Sequence, residues 1–352
     1  MEYVDETKDA LVVDLHRYNV PDKVMLILSC EIERSISMFK QILVPLDGST
    51  RAEQALPIAV CLARATNGTV TLVQVVHPLQ TEFMESVGEI ILPDMLDENM
   101  PTAQEYLEAV AATIGLEGIR TTTKVVTGHP AQAIIEAANA DNVDLVVMCS
   151  HGYTGAMRWS MGSIAEKVAR YASSPVFILH EGCALLPEAG ATPQGTVRVL
   201  VPLDGSKHAE ATIMPAALLA SALSVPARGE LHLTRVVSST QGEVNRFQEA
   251  VERSRQYLRS VVERLQRHPL TEAGVPLDLH ITWSVALSDD TALGIVQAAE
   301  NRGEVEHAKR GEACQVIAMA THGLGGPQLW AMGRTTERVL QSARQPLLIV
   351  RR

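Results

Sequence analysis

The sequence predicts an α/β protein built from two tandem doubly wound, Rossmann-like domains, each a five-stranded parallel sheet flanked by helices. Three observations support this fold class. The chain repeats itself, short apolar runs alternate with helical patterns in each copy, and 46% of the 352 residues are hydrophobic although only 4% are aromatic. A core made of Ala, Val, Leu and Ile is typical of parallel sheets that are covered by helices.

The internal repeat is visible in two turn motifs. The segment 42–49 (ILVPLDGS) returns at 199–206 (VLVPLDGS), and 150–152 (SHG) returns at 321–323 (THG). The interval between matching residues is longer at the second motif, because the second copy contains an insertion that lies mostly within Asn301 to Glu312. We expect this insertion to form a surface loop, where extra residues cost little stability.

The repeat also sets the domain boundaries. We predict one domain over residues 38–182, a linker rich in Gly, Pro and Ala over 183–196, and a second domain over 197–352. Residues 1–37 have no counterpart in the second copy. We interpret them as a disordered or loosely docked arm, or as a wrongly assigned translation start. An export signal is less favoured because the stretch is acidic.

Within the first copy, five apolar runs predict strands at 41–46, 69–76, 120–127, 143–149 and 175–180. Helical spacing fills the intervals between them, as in the small apolar residues between Ala52 and Ala63. Strands that alternate with helices imply right-handed crossovers and a parallel sheet. We expect the last strand of each copy to pair with the other and to form an intramolecular pseudo-dimer, since both would otherwise leave an apolar edge exposed.

Composition disfavours several function classes. The net charge of −11 argues against a nucleic-acid-binding protein, which needs clustered Lys and Arg. No apolar run approaches the roughly 20 residues of a membrane helix, so no membrane association is expected. The five cysteines are scattered and lack CxxC spacing, which predicts neither a disulfide framework nor a zinc site. A cytoplasmic protein is the default expectation.

The candidate ligand site lies where the repeated polar residues follow the strands. In open α/β sheets, ligands bind beyond the carboxyl ends of the strands, where the strand order reverses. The turn Asp47-Gly48-Ser49 follows the first predicted strand, and a glycine-containing loop that ends at Gly162-Ser163 follows the fourth. Glycines allow close approach of the backbone to a ligand, and a helix that begins near Ser163 would present free N–H groups to an anion. Ser163 and Glu166 also predict a capping box.

The combination of a Pro-Leu-Asp-Gly-Ser turn with Ser-His-Gly, nine residues and Gly-Ser resembles the universal stress protein family. The resemblance extends over residues 39–352, once in each copy. It implies the adenine nucleotide alpha hydrolase-like form of the fold and a bound adenine nucleotide: ATP with Mg²⁺, or alternatively AMP or ADP. Nucleotide-binding members carry Gly, two residues, Gly, nine residues, and then Gly followed by Ser or Thr. The matching residues of the first copy are Cys149, Gly152, Gly162 and Ser163, so Cys149 departs from the pattern.

By the same resemblance, Asp47 would bind the ribose hydroxyls, Pro45 and Val75 would line the adenine, and Gly152, Gly162 and Ser163 would hold the phosphates. The second copy differs at two of the matching positions, where alanine and arginine replace the first glycine and the Ser or Thr. We therefore expect a weaker site there. The guanidinium of Arg334 either binds a phosphate or occupies the place of the phosphate. The second site comprises Pro202, Asp204, Val236, Ala320, Gly323, Gly333 and Arg334.

Simpler interpretations stand beside these roles. Asp47 and Asp204 lie in turns where an aspartate often only caps the following helix. His151 and His322 lack a partner at triad or metal spacing, so we interpret them as loop-structuring residues. No catalytic residue and no metal-ligating set is predicted.

The residues taken together favour a nucleotide-binding regulatory module that signals to other proteins. Two alternatives stay open: a slow ATPase or nucleotide hydrolase, and a nucleotide-free interaction protein with decayed sites. The sequence identifies no protein partner, and a homodimer of the whole chain stays open as well.

Overall fold

A computed structural model describes residues 38–76, 93–112, 118–151, 161–180, 183, 185, 195–224, 226–238, 244–272, 274–302, 304–306, 313–322 and 332–351. Residues 38–352 group into one compact unit. The predicted N-terminal extension and most of the predicted linker lie outside the described residues. No helix in the described part of the chain is long and apolar enough to cross a lipid bilayer.

The first half alternates strands and helices as expected. Its elements in chain order are β1 (Gln41–Leu46), α1 (Thr50–Glu53), α2 (Leu56–Thr66), β2 (Thr69–Val76), α3 (Pro93–Ala111), β3 (Arg120–Thr127), α4 (Pro130–Ala140), β4 (Leu145–Cys149), α5 (Ser163–Tyr171) and β5 (Val176–Leu179). All five strands are parallel and lie in the order β3-β2-β1-β4-β5, so the strand order reverses between β1 and β4.

The second half repeats this arrangement with additions. Its elements are β6 (Arg198–Pro202), α6 (Lys207–Glu210), α7 (Ile213–Ser224), β7 (Gly229–Val237), α8 (Val244–Arg267), β8 (Thr271–Glu272), β9 (Val275–Pro276), β10 (Leu279–Leu287), α9 (Thr291–Ala299), β11 (Glu304–Glu306), β12 (Val316–Ala320), α10 (Arg334–Ser342) and β13 (Leu347–Val350). The parallel strands lie in the order β10-β7-β6-β12-β13, and the reversal falls between β6 and β12.

One part of the insertion differs from the expected surface loop. Residues 304–306 form β11, which pairs antiparallel with the end of β10. The backbone groups at the end of β10 supply hydrogen-bond partners along an otherwise open sheet edge, and the inserted segment takes them up. The prediction of a plain loop was therefore wrong for these three residues.

The last strands join the halves into a single 11-stranded sheet. β13 pairs antiparallel with β5, and Leu348 lies opposite Phe177 at the centre of the junction. Both residues are completely buried. The predicted pairing of the last strands is thus confirmed. Because the junction is antiparallel, the strands of the two halves run in opposite directions, and their carboxyl ends lie on opposite sides of the sheet along the strand axis.

Helices cover both faces of the sheet and define two apolar cores that each extend through both halves. One face carries α1, α2, α3, α6, α7 and α8, and the other carries α4, α5, α9 and α10. Helix α7 packs against the sheet and against α2 of the other half. It is apolar around most of its circumference, as expected for a helix that is buried on several sides.

An ion pair also links the halves. Arg170 at the end of α5 donates to Glu166 one turn earlier at 2.8 Å and to Glu337 in the first turn of α10 at 2.7 Å. The pKa of Arg170 is raised by these partners, principally by the hydrogen bond to Glu337. A single guanidinium therefore connects helices of the two halves.

Candidate functional site

The turn after β1 is organised by its aspartate. Asp47 Oδ1 accepts hydrogen bonds from the Ser49 backbone N–H at 3.0 Å and from Ser49 Oγ at 2.6 Å. Ser49 Oγ in turn accepts from the Ala52 N–H at 3.2 Å, so Ser49 is the N-cap of α1. Gly48 between them has φ +80°, a conformation that suits glycine. The interpretation of Asp47 as the helix cap was wrong, because the serine two residues later takes that role.

The second half contains the same turn. The Ser206 N–H donates to Asp204 Oδ1 at 2.9 Å, and Ser206 Oγ caps α6 by accepting from the Ala209 N–H at 3.1 Å. Asp204 is therefore not the cap either. In both halves the aspartate is held by its own turn at the carboxyl end of the first strand, where a carboxylate can accept hydrogen bonds from ligand hydroxyls.

The loop after β4 is closed by a backbone hydrogen bond between its two ends. The Gly162 N–H donates to the Ser150 carbonyl at 2.9 Å, and a Cβ on Gly162 would lie 2.4 Å from that oxygen. The backbone of Gly162 has φ −66° and ψ 144°, which any residue adopts. Close approach, and not the dihedral angle, therefore requires glycine here. In the second half the Gly333 N–H donates to the Thr321 carbonyl at 2.7 Å.

Helices α5 and α10 begin directly after these glycines. Gly162 is the N-cap of α5, without a side-chain cap, and Ser163 is its exposed first residue. The predicted capping box was wrong, because the helix begins one residue too early for Ser163 to be the cap and Glu166 pairs with Arg170 instead. The first N–H groups of α5 have no partner within the helix, and this helix start follows the loop that leaves β4.

The remaining residues predicted for the first half lie near the carboxyl ends of the strands. Pro45 and Val75 are half-buried near the ends of β1 and β2, and Cys149 ends β4 with its Sγ 3.9 Å from the Ala52 carbonyl of α1. Gly152 lies outside the described residues. The topology therefore brings six of the seven predicted positions to the carboxyl ends of three neighbouring strands and to the start of α5.

A cleft of about 560 Å³ occupies the equivalent place in the second half. Its lining includes six of the seven residues predicted for that half: Pro202, Asp204, Val236, Ala320, Gly333 and Arg334. The seventh, Gly323, lies outside the described residues. A volume of this size is typical of small-molecule sites. The switch point of the second half thus forms a real concavity around the residues that the motif comparison selected.

The cleft also contains residues that sequence reasoning missed. Arg235 lies next to Val236 on β7, and its guanidinium stacks over the ring of Tyr257 at 5.2 Å from the centroid. The Tyr257 hydroxyl donates to Glu210 at 2.8 Å. In the first half the corresponding pair is Tyr106 and Glu53, at 2.9 Å. The first-half counterpart of Arg235 is Gln74, which precedes Val75. A comparison of the two copies at this position would therefore have revealed the extra cation.

The two loop histidines occupy equivalent places. His151 Nδ1 lies 3.2 Å from Ser150 Oγ, and His322 Nδ1 lies 3.1 Å from Thr321 Oγ1. His322 lines the cleft, and burial lowers its pKa, with a further contribution from Arg351. Its imidazole is therefore predominantly neutral at neutral pH.

The described residues contain no cluster of three or more His, Cys, Asp or Glu side chains that would hold a metal ion. Four described cysteines, at positions 61, 149, 183 and 314, are not in disulfide bonds.

Comparison with known proteins gives a consistent result. The model of the universal stress protein family matches residues 38–180 and again 196–351. A universal stress protein from Mycolicibacterium smegmatis is 26% identical over 313 residues, which is 88% of this chain and 96% of the relative. One from Methanocaldococcus jannaschii is 30% identical over 154 residues, or 44% of this chain and 89% of the relative.

A solved structure also resembles the whole chain. The crystal structure of a universal stress protein from Archaeoglobus fulgidus aligns with a TM-score of 0.58 and 21% identity, covering 90% of this chain and 97% of that one. This likeness supports the tandem doubly wound fold.

Proposed function

The chain belongs to the universal stress protein family, and from this premise we propose that it is a regulatory protein that binds an adenine nucleotide, ATP with Mg²⁺, mainly in its first half. One observation carries the proposal. The residues that the motif selects in the second half surround a cleft of about 560 Å³, and their first-half counterparts occupy the same strand ends and helix start. The cleft in the second half has a size that suits a nucleotide, and the repeat relates it to the first-half positions, which keep the hydroxyl residue at the helix start.

The chemistry of the first half suits a nucleotide. Asp47 is fixed by Ser49 at the end of β1 and would accept hydrogen bonds from ribose hydroxyls. The close contact at Gly162 places the start of α5 beside the end of β4, so its N–H groups and the Ser163 hydroxyl would bind phosphate oxygens. AMP and ADP would use the same groups.

Magnesium would enter with the phosphates. Since the described residues offer no grouped metal ligands, the nucleotide itself would supply most of the oxygens that bind the ion, as is common for Mg²⁺. The chain's contribution is to orient the phosphate tail.

A cytoplasmic location and a signalling role complete the proposal. The cysteines at positions 61, 149, 183 and 314, which are not in disulfide bonds, suit a reducing compartment. Binding without rapid turnover is expected, so that the nucleotide acts as a signal to protein partners.

Photoaffinity labelling tests the proposal. The full chain is labelled with 8-azido-ATP in the presence of Mg²⁺, and the labelled peptides are identified by mass spectrometry. We expect labels mainly within residues 39–180, competed by ATP and greatly reduced in Gly162→Val. Equal labelling of both halves would contradict the assignment to the first half.

Two further outcomes would favour the alternatives. Absence of label and of calorimetric heat with ATP, ADP and AMP would support a nucleotide-free interaction protein. Release of phosphate above background, lost in Ser163→Ala, would support a slow ATPase.

A further inference from the structure

The two halves differ in the charge that they bring to the equivalent site. The second-half cleft is lined by two arginines, Arg235 and Arg334, and by one carboxylate, Asp204. The corresponding first-half residues are Gln74, Ser163 and Asp47. The second site therefore has two cations against one anion, whereas the matching positions of the first site have one anion and no cation.

Arg334 is available to a ligand. It is the exposed first residue of α10, and it lines both the main cleft and an adjoining cavity of about 270 Å³. Among the described residues it makes no hydrogen bond or ion pair. The next arginine on the same face of α10, Arg338, is already paired in a fork with Asp290. Within the described part of the chain, Arg334 is therefore an unpaired guanidinium at this helix start, and the adjoining cavity also contains Asp289 and Asp290.

Arg235 is held in place on the other side of the cleft. The ring of Tyr257 lies under its guanidinium, and that ring is anchored through Glu210. A Cβ on Gly205 would lie 3.4 Å from Arg235 Nη1, so the side chain is also packed against the Asp-Gly-Ser turn. Its charge is consequently a fixed part of the cleft and raises the potential experienced by an anion.

A phosphate tail needs counter-charge, and the two halves would supply it differently. In the first half the nearby carboxylate adds to the negative charge of the tail, so a divalent cation is needed. In the second half a guanidinium at the helix start can form a bidentate pair with phosphate oxygens, as Mg²⁺ would otherwise do. Resting on the proposed function, we propose that the second cleft binds a nucleoside polyphosphate without a divalent cation, with Arg334 holding the phosphate tail and Arg235 adding fixed positive charge.

The same labelling experiment separates this proposal from the proposed function. The full chain is labelled with 8-azido-ATP in Mg²⁺ and, separately, in EDTA. We expect labels within 39–180 in Mg²⁺, and in EDTA a shift of the labels to residues 197–351. Arg334→Ser, which installs the first-half residue, should weaken labelling of the second half in EDTA by about tenfold to a hundredfold, the size of a lost charged hydrogen-bond pair.

Matched variants complete the test. Arg235→Gln, again the first-half residue, should weaken labelling in EDTA by a smaller factor. Arg267→Ser removes the same charge at the far end of α8 and should have no effect. Melting curves check that each variant is folded, and all these positions are at least partly exposed.

The outcomes are distinguishable. If the first half is labelled in Mg²⁺ but the second is not labelled in EDTA, the inference about the second cleft is wrong and the proposed function stands. If EDTA labelling of the second half is unchanged by Arg334→Ser, the inference is wrong in its mechanism. If neither half is labelled under either condition, both proposals fail.

Discussion

Replacement of Gly162 by alanine should damage the chain more than replacement of Gly333, although the two glycines are equivalent in the repeat. A Cβ on Gly162 would lie 2.4 Å from the Ser150 carbonyl oxygen, whereas a Cβ on Gly333 would lie 3.0 Å from the Thr321 oxygen. Ordinary contacts begin at 3.4 Å, so the first half must move by about 1 Å and the second by about 0.4 Å. The first displacement disrupts the loop closure, whereas the second requires the Thr321 carbonyl to move by only a few tenths of an ångström.

The surroundings of Ser150 make that displacement costly. Ser150 is 3% exposed, and its N–H donates to the Leu179 carbonyl of β5 at 2.7 Å. Overpacking of a fixed site costs about 1–3 kcal/mol. Alanine in place of glycine recovers only about 0.4–1 kcal/mol through the unfolded chain. Gly162→Ala should therefore lose about 1–2 kcal/mol of unfolding free energy, and Gly333→Ala should stay within about 0.5 kcal/mol of the wild type.

Two measurements check this difference. Urea unfolding gives the change in unfolding free energy, and hydrogen exchange read by mass spectrometry locates it. We expect faster exchange at the end of β4 and the start of α5 in Gly162→Ala, and little change at β12 and α10 in Gly333→Ala. An equal or larger loss in Gly333→Ala would refute the argument that backbone proximity, and not the motif as such, requires glycine in the first half.

Three other predictions follow from single contacts. Burial lowers the pKa of His232 to about 3, so at acidic pH the unfolded chain binds a proton that the folded chain excludes. The unfolding free energy should be at its full value above about pH 6.5 and should decline by up to about 1.4 kcal/mol per pH unit below it. His232→Thr, which installs the residue of the first copy, should flatten this decline in acid titrations followed by circular dichroism. Burial raises the pKa of Cys314 to about 12, so N-ethylmaleimide at neutral pH should leave Cys314 unmodified until the chain is unfolded; modification in the native state would contradict its buried placement. Arg170→Ala removes the ion pairs to Glu166 and Glu337 and should lower the unfolding free energy by about 1 kcal/mol at low salt and by less at high salt. A purely packing role of Arg170 would not produce this salt dependence.

The strands were the most predictable part of the fold. The first three lie at 41–46, 69–76 and 120–127, with the predicted limits, because each is rich in apolar or β-branched residues. The first two strands are mostly buried, whereas the third is exposed or only partly buried along its length. The fourth begins at Leu145, two residues later than the apolar run suggested. The side chain of Asp144, just before it, accepts the N–H groups of Lys40 and Gln41. Such a contact between distant segments leaves no periodic signal.

The site was predictable in position and less so in detail. Repetition of the motif placed six positions of the second half around one cleft, because topology alone brings the carboxyl ends of neighbouring parallel strands together. The assignment of the helix cap to the aspartate of each turn was wrong. Asp47 and Ser49 are both acceptable residues at a helix start, and only the geometry decides between them. Arg235 was missed because strand periodicity does not tell which partly exposed side chain turns into a cleft.

Fusion of two copies allows asymmetry that a symmetric dimer cannot have. In a twofold dimer of first-half domains, every Arg170 would meet a Glu166 of the partner, and two arginines would share the junction by symmetry. In this chain the second copy has Gln341 at the position of Arg170. The single guanidinium of Arg170 therefore forms ion pairs with a glutamate of each half. The two halves remain joined because β5 and β13 pair within one continuous sheet. That shared sheet holds the second half in place whatever its cleft binds. We therefore expect that Arg334 and Arg235, which stand where the first half has Ser163 and Gln74, alter the ligand chemistry of the second cleft without loosening the fold.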